Sequence, residues 1–474
     1  MVLDGQSQKA SRAARSPSLG RRTRTPAGAR SLRAGERGSH VDGRGPRADG
    51  HAHIRSARTR RMALEPEVLV VGGGATGVGV ARDLALRGVD VTLVDRDGLC
   101  GGTTGRSHGL LHSGARYADS DPEGAAECLA ESRILRRIAG GCVRETGGLF
   151  LELAGDDDAY FGAKRAACES VGIPVEVVDS ATARDRVSGL SADLERAMRV
   201  PDAVVFPSRL VAATALDADR HGATIHTNAP LESLTVRDGA VTEARVGGRV
   251  DDVIRPDYVV NAAGAWAGSV AETAGVTVRM QPTRGVMVSV AYEGLGPVLN
   301  RCRNPADGDI VVPHRKEVVL GTTSVPVRDP DDYATPHREV ETTIAECAAM
   351  LPAVAERPIV RRWWGVRPLY APDETDRGGR GISRGFVRID HAADGVTNLA
   401  TIVGGKLTTH RLMAESVADL VCDRLGVDAP CRTADRELPA VDDPDRLDRA
   451  VAAFDGAGPA DADVVDVDDV GAEQ

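Results

Sequence analysis

Two stretches of this chain set a titratable ring and cations among small or aromatic residues. The first is His112-Ser113-Gly114-Ala115-Arg116-Tyr117, and the second is Trp363-Trp364-Gly365-Val366-Arg367-Pro368-Leu369. Ser383-Arg384 and Gly404-Gly405-Lys406 follow. An imidazole such as His112 could accept a hydroxyl proton while hydride leaves the neighbouring carbon, or could be a hydrogen-bonded structural histidine. Converging cations suit a dianionic phosphate or a carboxylate, and arginine suits them best because its donor fork is planar. The chain has 59 Lys and Arg, and only Lys9, Lys164, Lys316 and Lys406 are lysines. One arginine therefore says little alone; the setting in glycine-rich or aromatic segments singles these out. Trp363 and Trp364 read equally well as core.

The elements that must position these groups begin with a β-α-β unit. Residues 67–71 form an apolar, β-branched strand, 78–87 a helix, and 90–95 a second strand. Between strand and helix, Gly72-Gly73-Gly74-Ala75-Thr76-Gly77 carries the G-x-G-x-x-G pattern at Gly72, Gly74 and Gly77. Glycine permits the tight turn and lets backbone amides approach a pyrophosphate, which the helix N-terminus attracts. Asp95, with Arg96 beside it, ends the second strand, where its carboxylate can accept from ribose hydroxyls and disfavours a 2′-phosphate.

This fingerprint does not choose between NAD and FAD. Later segments do. The loop Gly101-Gly102-Thr103-Thr104-Gly105-Arg106-Ser107 could run along a pyrophosphate and flavin with backbone and hydroxyl donors. A strand at 259–263 stops at Ala263-Gly264, a point of close backbone approach. Gly404-Gly405 precedes a helix over 406–424, beginning Lys406-Leu407-Thr408, whose free amides could face the flavin pyrimidine carbonyls. Three returns of the chain to one cofactor predict an FAD domain with a substrate domain inserted.

Composition narrows the class. At 42% hydrophobic and 27% charged residues the chain is globular, with no apolar run long enough to span a bilayer. The net charge of −10 hides two segments: residues 1–61 carry 15 Lys and Arg against four acids, a net of +11, and the rest carries −21. The head reads as a basic, low-complexity extension, disordered or lying upstream of a translation start at Met62. The acidic body argues against nucleic-acid binding and resembles proteins of salt-loving cytoplasms. Cys128, Cys142, Cys168, Cys302 and Cys347 show no paired metal spacing, Cys100 has no redox partner, and Cys422 and Cys431 stand alone. No metal or iron–sulfur centre is expected.

With these motifs in order, the chain resembles the FAD-dependent glycerol-3-phosphate dehydrogenases over roughly residues 64–430, and looks most like the anaerobic enzyme's catalytic A-type chain. The resemblance rests on Gly-Gly-Gly-Ala-Thr-Gly at 72–77, Ala-Arg-Asp-Leu-Ala-Leu-Arg-Gly at 81–88, and the Thr-Gly-Arg-Ser to His112–Tyr117 run. Gly365-Val366-Arg367-Pro368-Leu369 and Gly404-Gly405-Lys406-Leu407-Thr408-Thr409 complete it. It implies an α/β chain: a Rossmann-like FAD-binding domain of the glutathione-reductase/D-amino-acid-oxidase type with an interposed antiparallel-sheet substrate domain. It further implies oxidation of sn-glycerol 3-phosphate to dihydroxyacetone phosphate, with hydride passing from C2 to flavin N5. Electrons would leave through B- and C-type partner subunits to a membrane quinone, placing the chain in the cytoplasm or peripherally on the cytoplasmic membrane face. Arg367 and Arg384 would hold the phosphate, Lys406 would sit by the flavin and substrate oxygen, and His112 and Arg116 would lie near the hydroxyl end.

The expected division gives FAD-domain segments at 64–145, 191–275 and 376–430, and substrate-domain segments at 146–190 and 276–375. Residues 431–474 are expected to be an acidic tail, solvated from about Pro439; the resemblance implies a cysteine-rich domain there, of which this tail would be a truncated remnant. Two other readings stay open: an FAD-dependent oxidoreductase of a 2-hydroxy or amino acid, and a non-catalytic FAD-binding subunit.

Overall fold

The computed structural model describes residues 64–371 and 385–456. Its first layer is a six-stranded sheet in the order Phe386–Asp390, Leu399–Gly404, Tyr258–Asn261, β1 (Val68–Val71), β2 (Val91–Val94) and Thr224–His226. All pairings are parallel except that of the Phe386–Asp390 edge strand. Successive side chains on a strand point to opposite faces, and a sheet covered on both sides needs apolar residues at every position. β1 shows this directly. Val68 and Val70 pack under helices α1 (Ala75–Leu86), Pro207–Arg220 and His410–Leu425, with Val211, Ala215, Ala414 and Val417. Leu69 and Val71 face the other way, onto a three-stranded antiparallel sheet (Leu231–Arg237, Ala240–Val246, Asp252–Ile254) and the helix Ala267–Thr273.

The second layer is a nine-stranded, mostly antiparallel sheet, with one parallel pair between Gly148–Leu153 and Val298–Arg301. Its central strand, Thr283–Ala291, pairs with Glu317–Gly321 and with Ile359–Arg367. Alternation again sorts the residues. Val286, Val288 and Val290 pack with Val340 and Cys347 of the helix His337–Ala348, while Met287 joins Leu110, Val204 and Trp363 on the opposite face. A small sheet of Leu110–Leu111, Ala203–Val205 and Val143–Arg144 sits between the two layers.

Two expected boundaries are corrected. Residues 191–200 belong with the substrate sheet and not with the FAD domain: Leu194–Val200 pairs along Gly148–Leu153 and Glu176–Asp179 and buries Ala197 and Met198. Nor is the segment after 431 a solvated tail as far as residue 456. Leu438, Ala440, Val441 and Leu447 pack with Leu111, Leu135, Ile138 and Leu210. The helix Pro444–Ala453 is capped by Asp443, which accepts from the Arg446 amide at 3.0 Å. Arg209 grips its Asp448 through two bonds of 2.7 and 2.9 Å. Acidic composition hides this because the few apolar residues are spaced to face one groove. Residues 1–63 and 457–474 lie outside the described residues, as does the segment with Arg384.

Candidate active site

Where β1 ends, the backbone turns at Gly72 with φ +114°, and a Cβ there would meet the Ala262 carbonyl oxygen at 2.6 Å. A Cβ at Gly77 would lie 1.8 Å from the Gly72 oxygen, so α1 packs directly on the turn. α1 starts at an N-cap, Gly74, that offers no side-chain cap, and its first turn contains no acid. Its N-terminal amides and the positive end of its dipole therefore face a cavity suited to an anion. Asp95 lines that cavity too. Its carboxylate accepts from the Gly73 amide at 2.5 Å and the Asp97 amide at 2.7 Å, so it also braces the turn. Burial pushes its pKa up, against the pull of those amides.

The cavity is about 530 Å³. Gly72, Gly74, Ala75, Thr76, Asp95, Arg96, Thr103, Thr104 and Ser107 line it near α1, and Ala263, Gly264, Gly404, Gly405, Lys406 and Leu407 line it from two later segments. Thr103 donates to the Val366 carbonyl at 2.6 Å, and Thr104 accepts from the Ala75 amide at 3.2 Å, so the loop ties the two layers together. Arg96 stacks 4.3 Å above Trp266 and makes bonds of 2.7 and 2.9 Å to Asp331. Asp331 also accepts from the Trp266 indole at 2.8 Å, and Arg96 holds its carboxyl below the usual range. Trp266 and Asp331 line the cavity, yet nothing in the sequence singled them out.

Three expected cofactor residues stand outside the lining. The Arg106 side chain is exposed; its carbonyl accepts from the Trp363 indole at 3.2 Å. Thr408 is buried and accepts from the His112 amide at 3.1 Å, so it places His112. Gly77 acts through helix packing, as above.

At the other end, His112, Tyr117, Arg367, Lys406 and His108 share the same cavity. The ammonium of Lys406 lies 4.5 Å from the Tyr117 ring centroid and 3.7 Å from Asp121. His112 meets Tyr117 edge to face at 5.2 Å. The loop carrying His112 is fixed from behind. The Ser113 amide and hydroxyl donate to Asp202 at 2.8 and 2.7 Å, and Asn300 donates to the other Asp202 oxygen at 3.3 Å. Burial raises the Asp202 pKa, and the Ser113 bonds oppose the rise. Arg367 donates to the Thr322 hydroxyl at 3.1 Å and the Thr323 carbonyl at 3.0 Å, which fixes its fork. Arg116 does not line the cavity; it turns to Asp309 at 3.6 Å. His108 was missed: it lies within the 104–117 run, but its spacing there gave it no role.

The glycine-walled turn, the helix start with no cap from its own N-cap residue and the acid beyond β2 fit a dinucleotide, and the cavity continues to a cluster of histidines and cations. A family model described as FAD dependent oxidoreductase matches residues 67–420. The A1 chain of the anaerobic glycerol-3-phosphate dehydrogenase of Haloferax volcanii is 47% identical over 402 residues, covering 81% of this chain and 68% of that one. The A chain of the Escherichia coli anaerobic enzyme is 44% identical over 391 residues, covering 81% and 72%. Among solved structures, glycine oxidase from Geobacillus kaustophilus matches with a TM-score of 0.65 at 21% identity over 79% of this chain and 99% of that one. The glycerol-3-phosphate dehydrogenase from Bacillus halodurans complexed with FAD matches with a TM-score of 0.60 at 23% identity, covering 82% and 72%. At those identities the solved structures bear on the fold alone. The chain belongs to the FAD-dependent oxidoreductases and, within them, to the family of A-type chains of anaerobic glycerol-3-phosphate dehydrogenase. Its cofactor is FAD.

Proposed function

We propose that this chain oxidises sn-glycerol 3-phosphate to dihydroxyacetone phosphate as the flavoprotein subunit of a multi-subunit dehydrogenase. The observation that carries the reading is the pairing of Arg367 and Lys406 with His112 in one cavity of a strongly acidic body. An anion reaching that cavity crosses an adverse overall field, so locally held cations are what retain it. The amides of Gly74 and Thr76 at the start of α1 would hold the pyrophosphate of FAD, Asp95 its ribose hydroxyls, and the backbone of Gly404–Leu407 its ring system. Bound there, FAD supplies the hydride acceptor.

The chain's own groups do the rest. Arg367, its fork fixed by Thr322 and Thr323, holds the phosphate, joined by Arg384. Lys406 orients the substrate oxygen, and Tyr117 and Asp121 hold its ammonium in place. His112 takes the hydroxyl proton on a ring nitrogen, with its backbone anchored by Thr408 and its loop by Asp202. Arg116 serves the same loop through Asp309. Electrons pass to a quinone through B- and C-type subunits, with this chain in the cytoplasm or docked on the cytoplasmic membrane face. Among the described residues no helix is long and apolar enough to cross a membrane.

One observation favours a second reading. Among the described residues Arg367 is the one arginine lining the substrate end, and a single fork also suits the carboxylate of a 2-hydroxy or amino acid. Anaerobic bleaching of the flavin separates them. Glycerol 3-phosphate should bleach it, and glycerol, lactate and glycine should not. Bleaching by lactate or glycine instead would replace the phosphate with a carboxylate, and no bleaching by any of them would leave a binding subunit without catalysis.

A further inference from the structure

The substrate end contains a histidine to which neither the family motif nor the mechanism above gives a task. His108 lies just before the strand Leu110–Leu111, which is pinned to Ala203–Val205; the Val205 amide donates to the Gly109 carbonyl at 2.7 Å. The ring is thus mounted on fixed backbone. Its Nδ1 accepts from the Leu110 amide at 3.2 Å. A nitrogen that accepts an N–H carries no proton, so the neutral ring must carry its proton on Nε2. Among the described residues no hydrogen bond is made by that Nε2–H, and the residue is half-buried where it lines the cavity. Its neighbours there are Arg367 and the His112 ring, the latter edge to face at 6.3 Å. Besides His112, the charged and titratable groups around it are Arg367, Arg116 and His314, and none would welcome a second proton. Burial, reinforced by these neighbours, pushes its pKa down to about 3.

We infer that His108 is a substrate-binding residue, an Nε2–H donor that shares with Arg367 the anionic oxygens of the substrate. The two histidines then divide the work by position. His112 handles the hydroxyl proton beside the reacting carbon, and His108 adds a directional bond to the anion without adding charge to the site. The inference rests on the phosphate reading above.

The FAD-loaded chain and two variants test it. His108→Asn keeps an acceptor for the Leu110 amide but puts no donor at the Nε2 position; His108→Gln carries an amide donor out to about that position. With a dye as electron acceptor, His108→Asn raises KM for glycerol 3-phosphate about 10- to 100-fold, the range of one hydrogen bond to a charged group. kcat stays within about threefold, and His108→Gln recovers most of the loss. Inorganic phosphate, followed by its perturbation of the flavin spectrum, weakens in parallel. Unchanged KM and phosphate affinity in His108→Asn at normal flavin content and melting temperature overturn the inference. So does a fall in kcat alone, which would move the donor to the reacting end. If glycerol 3-phosphate fails to bleach even the unaltered chain, the phosphate reading fails by itself, and phosphate binding still decides the role of His108.

Discussion

The two ends of the cavity are made from different materials. Near α1 the walls are backbone: a turn at Gly72, helix amides after Gly74, and Asp95 held by two amides, all within one β-α-β unit. At the substrate end the working groups are side chains on His108, His112, Tyr117, Arg367 and Lys406. Even the bond that seats His112 spans 296 positions, to Thr408. A backbone wall is sensitive to any added atom and indifferent to side-chain chemistry. A side-chain wall is the reverse, and each group can be removed without collapsing its neighbours.

The largest effect should come from filling the backbone wall. Gly77→Val puts a Cβ where the Gly72 oxygen lies 1.8 Å away, and neither backbone can yield cheaply. The purified variant should retain no flavin, read as the flavin-to-protein absorbance ratio. Next in size, Arg367→Ala should keep its full flavin and lose about 10²- to 10³-fold in kcat/KM, as expected for truncating one partner of a desolvated charge pair. Flavin loss in Arg367→Ala, or flavin retention in Gly77→Val, would erase the distinction between the two ends.

The same difference explains what the sequence revealed. A backbone wall is written in consecutive residues, so the glycine pattern, Asp95 and the flanking strands were legible together. The helices expected over 78–87 and 406–424 likewise match α1 and His410–Leu425 to within about one turn. A side-chain wall depends on which segments meet in space. Arg106 sits inside a glycine-rich motif, but the fold uses its carbonyl and turns its side chain to solvent. Arg116 sits two residues from Gly114 and faces Asp309. Asp331 lacked any local mark, and Trp266 and His108, though beside glycine-rich segments, take their roles from Asp331 and Arg367 far along the chain. Leu194–Val200 joined the other sheet for the same reason: cross-strand pairing with Gly148–Leu153 decided its place.

A smaller effect should appear at the seam, where His410 lines the cavity and is buried beneath α1. Its Nδ1 donates to the Leu407 carbonyl at 2.8 Å, and burial pushes its pKa down to about 4 from an ordinary 6.5. The unfolded chain therefore binds the extra proton first. The stability tied to neutral His410 is complete above about pH 6.5 and is lost as pH falls toward 4. By pH 5 the cost is roughly 2 kcal/mol. Urea unfolding of the holoprotein between pH 7 and pH 5 should show the loss, and His410→Gln should flatten that slope. An unaltered slope in the variant would assign the acid sensitivity to other groups.

The smallest effect tests whether the cofactor end has any side-chain component at all. Arg96, Trp266 and Asp331 form a latch across its rim, but Arg96 and Asp331 are 43% and 53% exposed. Exposed pairs of this kind contribute about 0.2 to 1 kcal/mol. Asp331→Ala should therefore speed FAD release only about two- to fivefold at low ionic strength, measured by flavin fluorescence on dilution. At about 1 M salt, where screening acts within roughly 3 Å, the variant and the unaltered chain should converge as far as the effect is ionic. What remains after convergence reports the lost hydrogen bond to the Trp266 indole. A release rate raised a hundredfold and insensitive to salt would mean that the rim, and not the glycine cradle, retains the cofactor, and the backbone end would then depend on side chains as heavily as the substrate end does.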